Sequence, residues 1–435
     1  MLTWSYYNTL VVTDNGGALF FNARTGALIR LSKERHAQTR ESAIPQDLRD
    51  FFLVQGFLVK DGTDELSEIQ ARHEASRESK EAFSATVELT EACNFRCVYC
   101  YQDHAPSHLS DEAAGRIVRY LSRKLEGVRH LHVNWFGGEP LIRLSVMESM
   151  ARQIGDAARA LGRTFSQFIT TNGYLLTADV AERLRRMGIE NVQITLDGDE
   201  SSHNRLRVLG SGKGTYQQVL AACRNVVSVG IDLMVRVNVN RWNADRIGAL
   251  LADLTSRGIS PRNTVIHLVR AVDHGNCGDE TSSLFFSNSE FAGEWVRSLE
   301  VVLQYGFGLP TLEPRAYNCA FDLGQTVMIG RDASIRHCSS SSGRISNLTE
   351  TGEEADRTTL HDVIKERRPT DDTECKECRY LPMCMGGCSY LQELGQEKCN
   401  PERHVLPELL RLTARQAEQI NNQNLPRLTG RQAQQ

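Results

Sequence analysis

Between residues 83 and 305 short, apolar, β-favouring runs alternate with amphipathic helical stretches, and this alternation limits the fold more than any other feature of the sequence. The strand candidates are Phe83–Leu89, His130–Phe136, Ser166–Thr171, Val192–Leu196, Leu233–Val239 and Thr264–Val269. Helical periodicity fills residues 111–126, 143–161, 177–187, 215–229, 243–257 and 287–305. Six such repeats predict an α/β fold with a parallel sheet, curled into a partial (β/α)6 TIM-type barrel. Ligands of such folds sit at the carboxyl ends of the strands. The residues with the most chemistry fall there. Cys93–Cys100 follow the first strand, Gly137-Gly138-Glu139-Pro140 the second, Asn172-Gly173 the third and Asp197-Gly198 the fourth, and Asn238-Val239-Asn240 end the fifth.

Cys93, Cys97 and Cys100 read CxxxCxxC. Three thiols this close cannot all pair as disulfides, but they can converge on one metal centre. Soft thiolates favour zinc or iron–sulfur clusters. They supply one ligand fewer than a closed four-thiolate site. That leaves either an open, reactive metal position or a zinc loop completed from elsewhere, for instance by His104. Of the twelve cysteines, ten are clustered, while Cys223 and Cys277 read as lone buried thiols. The start of the chain lacks the pattern of a signal peptide, and no apolar run approaches the ~18 residues of a membrane span. The expected compartment is the cytoplasm, where thiols stay reduced. A net charge of −4 offers no basic field to recruit nucleic acid.

The flanks differ in character. Thr9–Val12, Ala18–Phe21 and Ala27–Leu31, separated by turns at Asp14–Gly17 and Arg24–Gly26, predict a three-stranded meander. A helix is expected from Pro45 through Leu48, Phe51, Phe52, Val54, Phe57, Leu58 and Val59, then a turn at Asp61-Gly62 and a polar helix from Thr63 to His73. Residues 72–85 read as a linker or an extended helix. At the other end, seven cysteines fall between 319 and 399, the densest run being Cys375-x2-Cys378-x5-Cys384-x3-Cys388 followed by Cys399. Two or more closed metal sites are the natural reading, with a structural zinc ribbon as the alternative. A helix over Leu406–Arg415 and a mobile polar tail end the sequence.

In isolation, Gly137–Pro140 and Asp197-Gly198 are turns and Arg207 a solvated side chain. Their order after a CxxxCxxC resembles the radical S-adenosylmethionine (SAM) superfamily, and Tyr99 matches the aromatic residue the family places before its third cysteine. The resemblance implies a [4Fe-4S] cluster on Cys93, Cys97 and Cys100, with SAM on the open iron. It also implies SAM contacts from Gly137, Gly138, Glu139 and Pro140 (the amino group), Asn172, Thr195 and Asp197, Arg207 or Arg205 (the carboxylate), Arg236 and Asn238. Thr195 keeps the hydroxyl of the family's serine, and Asn204 replaces an aspartate. The C-terminal spacing resembles the SPASM domain. That likeness implies two auxiliary [4Fe-4S] clusters, one on Cys319, Cys338 and Cys388 with Asp322 or Cys277 as possible completion, the other on Cys375, Cys378, Cys384 and Cys399. Where the family often has glycine five residues before the second of these cysteines, this sequence has Ala333, so a small change of turn is expected. The N-terminal pattern resembles a winged-helix leader-recognition domain.

The expected organisation is therefore a peptide-recognition domain over 1–80, a radical SAM barrel over 83–308, a SPASM domain over 309–405 and a helix with tail over 406–435. The implied function is a radical SAM peptide maturase. It would cleave SAM to a 5′-deoxyadenosyl radical that takes hydrogen from a residue of a ribosomal precursor peptide, forming a thioether or carbon–carbon crosslink. Partners would be the leader-bearing peptide and a flavodoxin or ferredoxin, with neither nucleic acid nor membrane. The alternatives are a formylglycine-generating sulfatase-maturating enzyme, a peptide epimerase and, outside catalysis, a zinc-stabilised binding protein.

Overall fold

The computed structural model describes all residues except 41–43, 275–280, 282, 341–342, 357–366 and 424–435, and it leaves aside the side chains of 322–323 and 421–423. Cys277, the Asp322 side chain and the tail beyond 423 therefore lie outside the described residues. The chain divides into two units. One comprises Met1–Glu78, Leu309–Cys319 and Arg367–Gln435, and the other Ser79–Gly308 and Ala320–Glu366.

The first unit opens with strands β1 (Leu2–Trp4), β2 (Asn8–Val12), β3 (Ala18–Asn22), β4 (Leu28–Leu31) and β5 (Leu58–Lys60). The antiparallel β2–β3–β4 meander forms as its turn signals require, with Gly16 and Gly26 at φ 80° and 76°. Every residue of β3 is buried. Leu19 and Phe21 pack with Tyr7, Ile69 and Leu410 on one face, and Ala18 and Phe20 pack with Leu48, Phe52 and Phe57 on the other. The helix expected to run through Val59 stops at Gln55. Gly56 takes the left-handed conformation (φ 80°), and the Phe57 amide returns to the Phe52 carbonyl at 2.8 Å. This glycine stop releases Leu58–Lys60, a strand the apolar run had concealed, to pair with β1. The following helix spans Glu65–Glu78, so the polar stretch expected to begin at residue 72 is helical at first.

The second unit carries β6 (Ala82–Glu88), β7 (Phe95–Cys97), β8 (His130–Phe136), β9 (Thr164–Thr171), β10 (Ile189–Thr195), β11 (Arg207–Leu209), β12 (Asp232–Val239) and β13 (Thr264–Arg270). Strands β6, β8, β9, β10, β12 and β13 lie side by side in sequence order and all parallel, as the six repeats predict. At the β6 edge the sheet continues through β14 (Thr326–Ile329), β15 (Ser334–Arg336), β16 (Arg344–Leu348) and β17 (Glu354–Ala355). β14 joins β6 in parallel and the rest run antiparallel. Along the sheet, Val87, Trp135, Ile169, Val192 and Leu233 form one buried row, and Val235 and Val237 lie on the same face further along β12. The residues between them point to the opposite, inward face. That face is polar: Glu88, His132, Asn134, Thr195, Arg236 and Asn238 interrupt the continuous apolar runs usual in a parallel sheet. Among the described residues no helix is long and apolar enough to cross a membrane.

Candidate functional site

The CxxxCxxC loop is shaped by two neighbours. On one side β7, which lies inside the loop, pairs antiparallel with β11, setting Arg207 opposite Cys97 and Leu209 opposite Phe95. Backbone bonds from Val98 to Leu206 (3.0 Å) and from Gly210 to Asn94 (2.9 Å) extend this zipper. On the other side the Gly137–Pro140 turn lies against Thr90–Ala92. Gly138 donates to the Thr90 carbonyl at 2.7 Å and Glu139 to the Ala92 carbonyl at 2.9 Å. A Cβ at Gly138 would stand 2.5 Å from the Ala92 oxygen and closer still to that of Glu91, and Gly137 has φ 143°. Close approach as well as backbone freedom therefore requires the two glycines.

Glu139 is fully buried, and its carboxylate accepts from the Leu141 amide (3.0 Å), the Thr171 hydroxyl (2.7 Å) and the Asn172 amide (2.8 Å). It thus braces the end of β9 against the turn, and burial pushes its carboxyl above the usual range. Asn172 passes the connection on, its side-chain amide donating to Asn94 Oδ1 at 2.8 Å and to Cys93 Sγ at 3.7 Å. Across the site the Tyr99 hydroxyl donates to the buried Asp197 carboxylate and accepts from Arg207 (2.7 Å) and Asn238 (3.1 Å). Asp197 also takes the Asn238 backbone amide at 2.8 Å, and Arg236 Nε donates to Asn238 Oδ1 at 2.9 Å. Thr195 is buried one turn of the pleat before Asp197.

The open choice between two arginines has a geometric counterpart. Arg207 is buried beside the thiols, its guanidinium 5.5 Å from the Phe95 ring centroid, while Arg205 is exposed and stacked 3.5 Å over Trp242. Asn204, the departure from aspartate, has a structural use: its amide oxygen accepts from Thr215 and Tyr216 at the start of helix Tyr216–Ser228. His203 Nδ1 accepts from the Asp197 amide, so the proton on Nε2 faces Thr215. Asn94 and Tyr101 join the site although the motifs do not single them out. Asn94 could be found from its place inside the cysteine motif. Tyr101 carries no such signal; its ring lies 4.8 Å from that of His274, within electrostatic reach of Cys100, Cys338 and Arg236.

Burial pushes the thiols of Cys93 and Cys97 up to about 11. Both are protonated at neutral pH unless a bound cation stabilises the thiolates, which is the condition of a metal ligand that releases its proton on binding. The donor set fits an iron–sulfur cluster in this respect. Among the described residues no three His, Cys, Asp or Glu side chains stand at single-ion spacing. In the first unit a cavity of about 340 Å³ is lined by Cys375, Cys378, Cys384 and Cys399, with Lys398 and Arg403. Arg403 donates to Cys399 Sγ at 2.7 Å. Met385, Gly386 and Gly387, at φ 49°, 90° and 72°, link Cys384 to Cys388. Cys319 and Cys388 belong to the first unit and Cys338 to the second. Ala333 sits at φ 61° in the turn before Cys338, the left-handed conformation that glycine adopts without strain.

Residues 87–254 match the Radical SAM superfamily. The chain is 28% identical over 183 residues to Fe-coproporphyrin III synthase of Methanosarcina barkeri, covering 42% of this chain and 43% of that protein. It is 32% identical over 183 residues to mycofactocin maturase MftC of Mycolicibacterium smegmatis, covering 41% and 43%. These matches span less than half the length of the curated relatives. Among solved structures, anSMEcpe with bound AdoMet superposes with a TM-score of 0.60 at 17% identity, covering 78% of this chain and 99% of that one. Streptococcus suis SuiB bound to precursor peptide SuiA does so with a TM-score of 0.53 at 13% identity, covering 92% and 98%. At these identities the two structures show a shared fold. The span that matches the superfamily holds the three thiols, the Gly137–Pro140 turn and the Tyr99–Asp197–Arg207 network, so it is within residues 87–254 that the chain is similar to radical SAM proteins, the maturase MftC among the relatives it matches.

Proposed function

We propose that the protein is a radical SAM peptide maturase that crosslinks a ribosomal precursor peptide, through a thioether or a carbon–carbon bond. The carrying observation is the β7–β11 zipper, which fixes a buried cation opposite Cys97 at the head of a polar inward face. A [4Fe-4S] cluster on Cys93, Cys97 and Cys100 would supply the electron that cleaves SAM to methionine and a 5′-deoxyadenosyl radical, which takes hydrogen from the peptide. The protein's own residues hold the participants. Arg207 meets the SAM carboxylate, and its Nε is buried without a hydrogen-bond partner. The backbone of Gly137–Pro140 faces the amino group, while Glu139 fastens that turn. Thr195, Asp197 and Asn238 present polar groups to the remainder of SAM, and the buried apolar rows behind them exclude water.

Two further features support a peptide substrate. The likeness to SuiB, whose structure holds a precursor peptide, covers 92% of the chain. The N-terminal module exposes Leu10 and Val12 on the edge strand β2, where an extended leader could add as a strand. The cavity of Cys375, Cys378, Cys384 and Cys399 would hold one auxiliary cluster, and Cys319, Cys338 and Cys388 a second, with a flavodoxin or ferredoxin as electron source. Iron and sulfide analysis of anaerobically purified protein tests the reading. Three clusters give about 12 iron atoms, and zinc without sulfide would refute it. Cys97→Ala should abolish 5′-deoxyadenosine formation and leave the auxiliary clusters in place. Deletion of residues 1–80 with no loss of peptide binding or turnover would remove the leader-recognition role.

A further inference from the structure

Arg236 stands in the inward face of the sheet with no carboxylate in ion-pair contact among the described residues, and Asp197 acts on it only at longer range. Its register partners are Thr195 on β10 and His267 on β13, and its neighbours Val235 and Val237 are fully buried on the opposite face. Nε is spent on the Asn238 amide oxygen. The nearby acids are already committed: Asp197 to Tyr99 and the Asn238 backbone, Glu88 to Arg336 at 2.7 Å. Beside Arg236, His267 Nδ1 is buried with no hydrogen-bond partner. Burial holds that imidazole down to about 4, so it is neutral and the local charge is that of the guanidinium alone. A half-buried cation without a contact ion pair gains from a partner, and a planar fork of donors matches a carboxylate.

We propose that Arg236, with His267 at its side, is a carboxylate-reading subsite, and that the substrate presents there either an acidic side chain or the terminal carboxylate of a peptide. The proposal rests on reading the inward face as the substrate face. The resemblance to the family puts Arg236 among the SAM contacts, but SAM's carboxylate has its own cation in Arg207, directly opposite Cys97.

Three small probes test it by ligand-observed NMR titration of cluster-loaded protein saturated with SAM. N-acetyl-L-glutamate α-amide carries its carboxylate on the side chain, N-acetyl-L-alanine carries a terminal one, and N-acetyl-L-glutamine α-amide is the uncharged isostere of the first. At least one carboxylate probe should bind about tenfold or more tightly than the glutamine probe, and the one that does identifies the source. Arg236→Gln should erase this preference, and Arg236→Lys, which keeps the charge without the planar fork, should retain part of it. Equal binding of all three probes to the wild-type protein overturns the proposal without recourse to any variant. So does an Arg236→Gln protein in which the probe preference persists. Failure of the maturase reading would show separately, as wild-type protein that forms no 5′-deoxyadenosine from SAM.

Discussion

Gly138→Ala is the sharpest test of how the Gly137–Pro140 turn serves the thiols. Gly138 does not need a left-handed backbone, so the substitution acts through space alone. The new Cβ would lie 2.5 Å from the Ala92 oxygen and 2.7 Å from the Ala92 carbonyl carbon, where ordinary contact begins at 3.4 Å. Relief requires a displacement of about 1 Å, and the atoms struck are backbone, which cannot rotate away as a side group would. The moved segment is Glu91-Ala92, immediately before Cys93, and its bond to Glu139 moves with it. Overpacking of this kind costs about 1–3 kcal/mol, a few degrees of melting temperature in a protein of this size. A thiol misplaced by about 1 Å should cost about a hundredfold in the rate of SAM cleavage. The control is Gly127→Ala at the end of helix Asp111–Gly127, where a Cβ meets nothing within 4 Å. The assays are iron content, thermal melting and 5′-deoxyadenosine formation. A Gly138→Ala protein equal to the Gly127→Ala control in all three would refute the close-packing argument.

Other outcomes follow from the same geometry. Gly387→Ala should empty the C-terminal cavity of its metal and leave the cluster at Cys93–Cys100 intact, because a Cβ there strikes the Lys398 backbone and φ is 72°; iron counting with electron paramagnetic resonance would separate the two sites. Arg207→Ala should weaken SAM binding at least about tenfold while Arg205→Ala changes it less than about twofold, since the buried cation serves the site and the exposed one stacks on Trp242. Ala333→Gly should change the melting temperature little or raise it, because relief of left-handed strain, about 1–2 kcal/mol, opposes the loss of one buried methyl and a more flexible unfolded state. Burial holds His132 and His267 down to about 4. Unfolded histidine takes its proton near 6.5, so the unfolded state binds protons first as pH falls. Melting temperatures should therefore hold above pH 6.5 and decline from there towards pH 4, and less so in His132→Asn.

The barrel is legible in the sequence because its strands and helices differ in period, and six repeats of the same unit leave little choice of topology. The thiol motif is legible because its ligands are close in sequence. What escapes reading depends on pairings between distant segments. Nothing in Arg207-Val208-Leu209 announces a strand, and Phe95-Arg96-Cys97 lies inside a motif read for its sulfur; each becomes a strand only because the other is there. The course of Leu48–Val59 misleads for a simpler reason. Gly56 is a recognisable helix stop, but the apolar density on both sides of it outweighs the one residue that decides the turn.

The buried polar residues of the site divide by the bonds they leave unused. Glu139 accepts three hydrogen bonds within the protein, Asp197 holds Tyr99 and Asn238 and lies 3.9 Å from Arg207, and Asn204 caps a helix; these are fasteners. Arg207 Nε and His267 Nδ1 are buried with bonding capacity to spare, and Arg236 lacks a carboxylate partner among the described residues. Buried polar groups are costly unless satisfied. The groups left wanting are therefore where ligands contribute most, and all three have polar hydrogens to offer an anion, His267 when its proton sits on Nδ1. The acids have been used to build the site, and the cations are what it presents. On the proposed reading, a site arranged this way selects for carboxylates, SAM's at Arg207 and the substrate's at Arg236.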